Sequence, residues 1–215
     1  MYAANFGTGK IDVFNGNFGL ATVSGHFTDP NLPAGYVPFN IQNIDGILYV
    51  TYALQNASRR DDVAGTGHGF VNAFDTNGNL LRRFTSQGAL NSPWGLASAP
   101  AQFGAFSGDL LIGNFGDGLI NAYDPNSGAF AGTLDDVTGS PIQIDGLWGL
   151  SFGNGAQGQD LNTLYFTAGI PGPDGQVEEH GLFGAVSETP EPGSLLLMAL
   201  GLGSVFLAYR KHTPR

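Results

Sequence analysis

The chain has 215 residues, a net charge of −10, 42% apolar and only 12% charged residues, and no cysteine. Its 34 glycines, 12 prolines and 16 phenylalanines suit short strands joined by tight turns, which excludes a disordered chain, and the missing cysteine excludes a disulfide framework, a thiol nucleophile and a Cys-based metal site. Three of the eight basic residues fall in the last six positions, so residues 1–209 set five basic against eighteen acidic residues, a net −13 that repels phosphate backbones and argues against nucleic-acid binding.

The predicted elements repeat one unit, clearest over residues 110–134. It is an apolar run, a turn at Asn114-Phe-Gly-Asp-Gly118, alternation from Leu119 to Tyr123, a second turn and a third short run. Shifted by 109, Asn5 to Phe14 falls on Asn114 to Tyr123, and shifted by 49, Gly69 to Asp75 falls on Gly118 to Asp124. His180 to Phe183, shifted back by 63, falls on Asp117 to Ile120. Ahead of three units stand Pro38-Phe-Asn-Ile41, Pro93-Trp-Gly-Leu96 and Leu147-Trp-Gly-Leu150, with their aromatics 55 and 54 residues apart. A period of this size in strand-like sequence predicts an all-β fold, a β-propeller of four-stranded blades with three to four blades over residues 1–186.

In chain order, the first unit turns at Gly7-Thr-Gly9 and again near Asn15-Gly-Asn17, and residues 24–35 form a polar connection. The second opens at Phe39, continues through a strand over 48–52 and carries an insertion over 53–67 with the charge cluster Arg59-Arg-Asp-Asp62. That cluster reads as a solvated loop with local ion pairs rather than a recognition loop. Residues 70–74 and 80–84 pair through Thr76-Asn-Gly78. In the third unit Trp94 packs between blades, Gly95 permits crowding at the axis, and Asp124-Pro-Asn-Ser-Gly128 is a turn opened by an Asx residue. The fourth runs from Trp148 through Leu164 to Ala168, carries a second insertion over 169–179 and closes over 182–186.

The position before the hairpin glycine is Thr8, His68, Asp117 and His180, and three before the innermost aromatic stand Tyr36, Asn91 and Asp145. In a four-stranded blade these positions and both insertions belong to one face of the disc. His68, Asn91, Asp117, Asp145 and His180 are therefore the candidate metal or ligand residues, with oxygen donors that suit calcium. The competing reading is turn chemistry, because His and Asp before Gly are ordinary turn residues and these positions fall in the outer halves of separate blades. No catalytic residue is assigned, since no nucleophile or phosphate-loop context is present.

Residues 187–189 link the repeats to a tripartite tail: Pro190-Glu191-Pro192, an uncharged apolar stretch over 194–209, and a basic cluster over 210–215 containing Arg210 and Lys211. From Pro192 to Tyr209 there are 18 uncharged residues, near the short end of what crosses a bilayer, so a transmembrane helix with a cytoplasmic C-terminus is expected. This arrangement resembles the PEP-CTERM sorting signal of Gram-negative bacteria. The resemblance implies export, recognition by an exosortase, cleavage near Pro190-Glu191-Pro192 and delivery to the cell surface or exopolysaccharide matrix. The repeats are similar to an uncharacterised family of exported bacterial propellers with such tails, and more distantly to NHL and gluconolactonase-like propellers. That resemblance implies a six-bladed ring, of which this chain would be a part.

Two functions are carried forward: a surface-sorted binding or structural module of the envelope or matrix, with exosortase and polysaccharide as partners, and a metal-dependent hydrolase or lactonase of gluconolactonase-like type using Asn91, Asp117 and Asp145. The module is favoured because no acid–base pair can be named. A signal peptide, an innermost strand for the first unit and further repeats are expected upstream of Met1.

Overall fold

The computed structural model describes residues 1–170 and 180–187, which form strands, turns and two short 3-10 turns. The strands make four antiparallel sheets, in each of which sequence order equals spatial order. The first holds β1 (Tyr2–Asn5), β2 (Lys10–Phe14) and β3 (Leu20–Ala21). The second holds β4 (Tyr36–Ile44), β5 (Ile47–Leu54), β6 (Phe70–Phe74) and β7 (Leu80–Ser86). The third holds β8 (Pro93–Ser98), β9 (Leu110–Asn114), β10 (Ile120–Tyr123) and β11 (Phe130–Thr133), and the fourth β12 (Leu147–Phe152), β13 (Leu164–Ile170) and β14 (His180–Val186).

These sheets stack as the blades of a propeller. The innermost strands are neighbours in turn, β4 against β8 and β8 against β12, with β1 beside β4. The period-2 pattern places a core at every junction, because a sheet between two others buries both faces. In the second blade Leu48, Val50, Tyr52, Phe70 and Phe74 face the first blade, where Ile11 and Val13 meet them. The alternate residues Tyr49, Val71 and Ala73 face the third blade and meet Leu96, Leu110 and Ile112. From the other face of the third blade Ala97, Leu111, Ile120 and Ala122 join Leu147, Leu150 and Leu164 of the fourth. At about 1.5–3 kcal/mol per fully buried large apolar side chain, these junctions supply the main stabilising term of the fold.

Near the axis the aromatic residues of the repeat form a chain of edge-to-face and tilted contacts. Phe6 meets Phe39 at 5.1 Å between ring centroids, Phe39 meets Phe115 at 6.1 Å, Phe115 meets Trp148 at 4.8 Å and Trp148 meets Trp94 at 5.4 Å. Trp94 therefore packs between blades as its place in the repeat predicts, though both indoles stay half-buried. Gly95 follows from the same crowding: a Cβ there would lie 2.6 Å from the Trp148 carbonyl oxygen.

Several boundaries move outward from the sequence reading. β4 begins at Tyr36, and β5 extends to Leu54 while β6 begins at Phe70, so the first insertion shifts by two residues to 55–69. Pairing across the sheet carries each strand past its apolar run, since Tyr36 lies opposite Leu54 and Val37 opposite Ala53. The loop at 59–62 is not tied by ion pairs, because among the described residues the one ion pair joins Arg83 to Asp29. Instead the Asn56 amide donates to Asp61 at 2.9 Å and its Oδ1 accepts the Arg60 N–H at 3.2 Å. Residues 171–179, all of the second insertion beyond its first two residues, and the sorting tail lie outside the described residues. No helix among the described residues is long and apolar enough to cross a membrane; the apolar stretch 194–209 is not among them.

Candidate functional site

Three of the five candidate residues come together where the second blade meets the third. His68 stands before β6 and forms a parallel bridge with Asn91, which stands just before β8. The Asn91 amide donates to Asp117 Oδ2 at 3.0 Å, while its Oδ1 accepts the Gly65 N–H at 2.6 Å. Its backbone N–H donates to Asn114 Oδ1 at 3.1 Å and its carbonyl accepts the Gly116 N–H at 3.1 Å. Asn91 is 7% exposed and every one of these polar groups is used. Asp117 Oδ1 also accepts the Leu119 N–H at 3.1 Å, closing the β9–β10 turn. His68 Nδ1 donates to the Val63 carbonyl at 2.8 Å, which fixes the first insertion over this junction.

The other two stand apart. Asp145 is exposed just before β12, and His180 is exposed as the first residue of β14, opposite Ile170. Among the described residues no three His, Cys, Asp or Glu side chains converge well enough to hold a metal ion. The junction works as a polar clasp: Asn91 joins the insertion of one blade, the entrance strand of the next and the turn carrying Asp117. Behind it the Asn114 and Asn121 amides both donate to the Ala89 carbonyl, at 2.8 and 3.1 Å, and Thr133 donates to Asn121 Oδ1 at 2.8 Å.

Unequal costs are expected on mutation. Asn91→Ala strands the Asp117 oxygen and the Gly65 N–H and should cost about 2 kcal/mol, whereas His180→Ala should stay within about 0.5 kcal/mol. Thermal unfolding of the two variants checks this; equal costs would show that the clasp contributes nothing.

Sequence reasoning missed a second polar centre, between the first and second blades. Asp29, on the long connection after β3, has a side chain 2% exposed and forms the ion pair with Arg83 of β7. Its Oδ2 also accepts the Asn72 amide at 3.0 Å, and its Oδ1 accepts the Asn31 N–H at 2.9 Å. Burial pushes the Asp29 carboxyl up, but Arg83, the Asn31 N–H and Asn72 outweigh it and hold the group below its ordinary value. Beside it, burial drives the Tyr52 hydroxyl well above the ordinary phenol range. The available signal was the repeat itself, since Asn72 shifted by 49 is Asn121.

Among known proteins, the chain is 40% identical over 175 residues to one uncharacterized protein of Acanthamoeba polyphaga mimivirus, covering 79% of this chain and 42% of that one. It is 39% identical over 173 residues to a second from the same virus, covering 78% and 45%. It thus spans less than half the length of these relatives. A solved structure described as a candidate gluconolactonase aligns with a TM-score of 0.47 and 15% identity, over 88% of this chain and 60% of that one. The profile of the PEP-CTERM protein-sorting motif matches residues 188–211, so the chain carries that sorting motif at its C-terminal end.

Proposed function

We propose that this chain is an exported, surface-sorted β-propeller that acts as a binding or structural module of the cell envelope or exopolysaccharide matrix. The observation that carries the reading is the sorting motif over residues 188–211 joined directly to a four-blade body. In this reading the apolar stretch 194–209 holds the chain in the inner membrane, Arg210 and Lys211 keep its C-terminus cytoplasmic, and exosortase cuts near Pro190-Glu191-Pro192. The first insertion, fixed over the junction of the second and third blades, supports the binding role, because recognition residues concentrate on loops held by a rigid scaffold.

The test compares the mature protein in matched strains with and without exosortase. With the enzyme, mass spectrometry of the surface fraction should find a form lacking the tail; without it, the full-length chain should stay in the inner membrane. Deleting residues 192–215 should release the protein in soluble form. An intact tail on the mature protein in the exosortase-positive strain would end this reading.

A further inference from the structure

Between the first and second blades lies a cavity of about 490 Å³, within the roughly 300–1,000 Å³ range of small-ligand pockets. Ile11 and Val13 of β2 and Leu32 of the connection give it apolar walls, and the rings of Phe27 and Tyr36 border it. Asp29 and Tyr52 supply polar groups. Tyr52 is 2% exposed, yet its hydroxyl has no hydrogen-bond partner, and the buried Asn72 Oδ1 beside it has none either. The Asn72 side chain lies close enough to the phenol to lower its pKa by hydrogen bonding, but no bond of good geometry joins them. Buried polar atoms in folded proteins are almost always satisfied, so the orphaned hydroxyl of Tyr52, which lines the cavity, calls for a partner there.

The repeat explains why these two atoms are orphaned. Leu48 lies opposite Phe74 as Leu110 lies opposite Tyr123, which puts Tyr52 and Asn72 at the positions of Asn114 and Asn121. In the third blade both amides close on Ala89, in the short connection that leads straight into β8. In the second blade the corresponding connection, residues 22–35, is longer and stands off. The Asn72 amide reaches Asp29 instead, and the Tyr52 hydroxyl reaches nothing. That connection is also held in place: His26 and Phe27 take left-handed φ values of 56° and 52°, and the Gly25 and Phe27 N–H groups donate to Asn77 and Gly78 at 2.8 and 3.0 Å. Bulky residues in this conformation persist only where their surroundings over-determine them, and they cluster at ligand clamps.

We propose that this cavity binds a neutral, hydroxyl-bearing ring of the size of a mono- or disaccharide, anchored on Tyr52. A ligand hydroxyl both donates and accepts, so it satisfies the phenol in whichever role the phenol takes. Asp29 is already paired with Arg83, so that pair adds no net charge to the lining, while free lone pairs of the carboxylate still accept from a sugar. The apolar walls and the Phe27 and Tyr36 rings suit the C–H face of a pyranose. The site stands on the cavity and its orphaned hydroxyl, independently of how the tail is processed.

The test uses the full chain in mild detergent with glucose, galactose, cellobiose and glucuronate as probes, read by saturation-transfer NMR and thermal unfolding. At least one neutral sugar should receive saturation from the protein and raise its melting temperature. Tyr52→Phe should weaken that sugar about tenfold without lowering the melting temperature of the unliganded protein, because it removes only an unsatisfied hydroxyl. Leu32→Trp, which fills the cavity, should abolish binding and covers the case in which Tyr52→Phe misfolds. No transfer to any probe, binding of glucuronate alone, or equal binding by the parent and both variants would overturn the proposal.

Discussion

Gly128→Ala is expected to cost about 4 kcal/mol and to lower the melting temperature by about 8–16 °C. Gly128 ends the turn between β10 and β11, with φ at +74°, and the turn docks on the outer strand of the second blade. A Cβ there would sit 1.9 Å from the Phe84 carbonyl oxygen, a backbone atom that no rotamer change can move aside. The same rim is clamped by Arg82, whose guanidinium donates to the Pro125 and Asn126 carbonyls and lies 5.0 Å over the Phe84 ring. To admit a methyl group, the second and third blades must part along this rim, loosening both the clamp and the core behind it. Gly139→Ala separates the two contributions, since Gly139 has φ at +78° and a Cβ there would meet nothing within 4 Å. That control should cost only the left-handed strain, about 1 kcal/mol. Calorimetry on both variants checks the difference, and equal costs would show that blade contact at Gly128 is unimportant.

The parts of this fold that were legible in the sequence are those written with a local period. The apolar run opening at Leu110, the alternation over 119–123, the Asn-Gly turn at Gly78 and the Asx turn opened by Asp124 each depend on neighbours a few residues away, and each is where the sequence places it. The spacing of Phe39, Trp94 and Trp148 foretold innermost strands that meet at the axis, because it repeats a packing unit. Hydrogen-bond partners between blades are different. Asn72 and Asn121 occupy one repeat position, yet one donates to a carboxylate and the other to a backbone carbonyl. The choice is made by the connection that passes overhead, which the repeat does not encode.

For the same reason Asn91 and Asp117 were legible as residues sharing a face, while their direct bond was not. Asn91 enters the innermost strand of the third blade and Asp117 lies in the turn between its second and third strands, so two positions 26 residues apart become neighbours only once the strands have paired. His68 joins them through the first insertion, whose own fold depends on Asn56 and Asp61. Asp145 and His180 share the repeat logic but face no comparable insertion among the described residues.

Arg83→Ala should cost about 2 kcal/mol at neutral pH, because removing the partly exposed partner of this pair leaves the Asp29 carboxylate, whose side chain is enclosed, without its compensation. The guanidinium of Arg83 also lies 5.3 Å over the Phe70 ring, so part of that loss is packing and part is the pair with Asp29. Acid titration separates them. In the parent the folded Asp29 carboxyl lies below its ordinary value of 3.8, so its ion-pair contribution is fully present above about pH 4 and is lost as pH falls through the lower folded value. Without Arg83 the burial penalty and the Asn31 and Asn72 hydrogen bonds remain but the guanidinium is lost, so the folded carboxyl moves upward and acid costs the variant less. The difference in melting temperature between parent and Arg83→Ala should therefore be large at neutral pH and shrink as pH falls below about 4. Asp75, Asp124 and Asp136 are also held below their ordinary value by hydrogen bonds from nearby side chains and backbone N–H groups. They steepen the acid limb of both proteins alike and cancel in the difference. A gap that stays constant from neutral pH to about 2.5 would assign the effect of Arg83 to its packing on Phe70 and leave the carboxylate of Asp29 without a stabilising role.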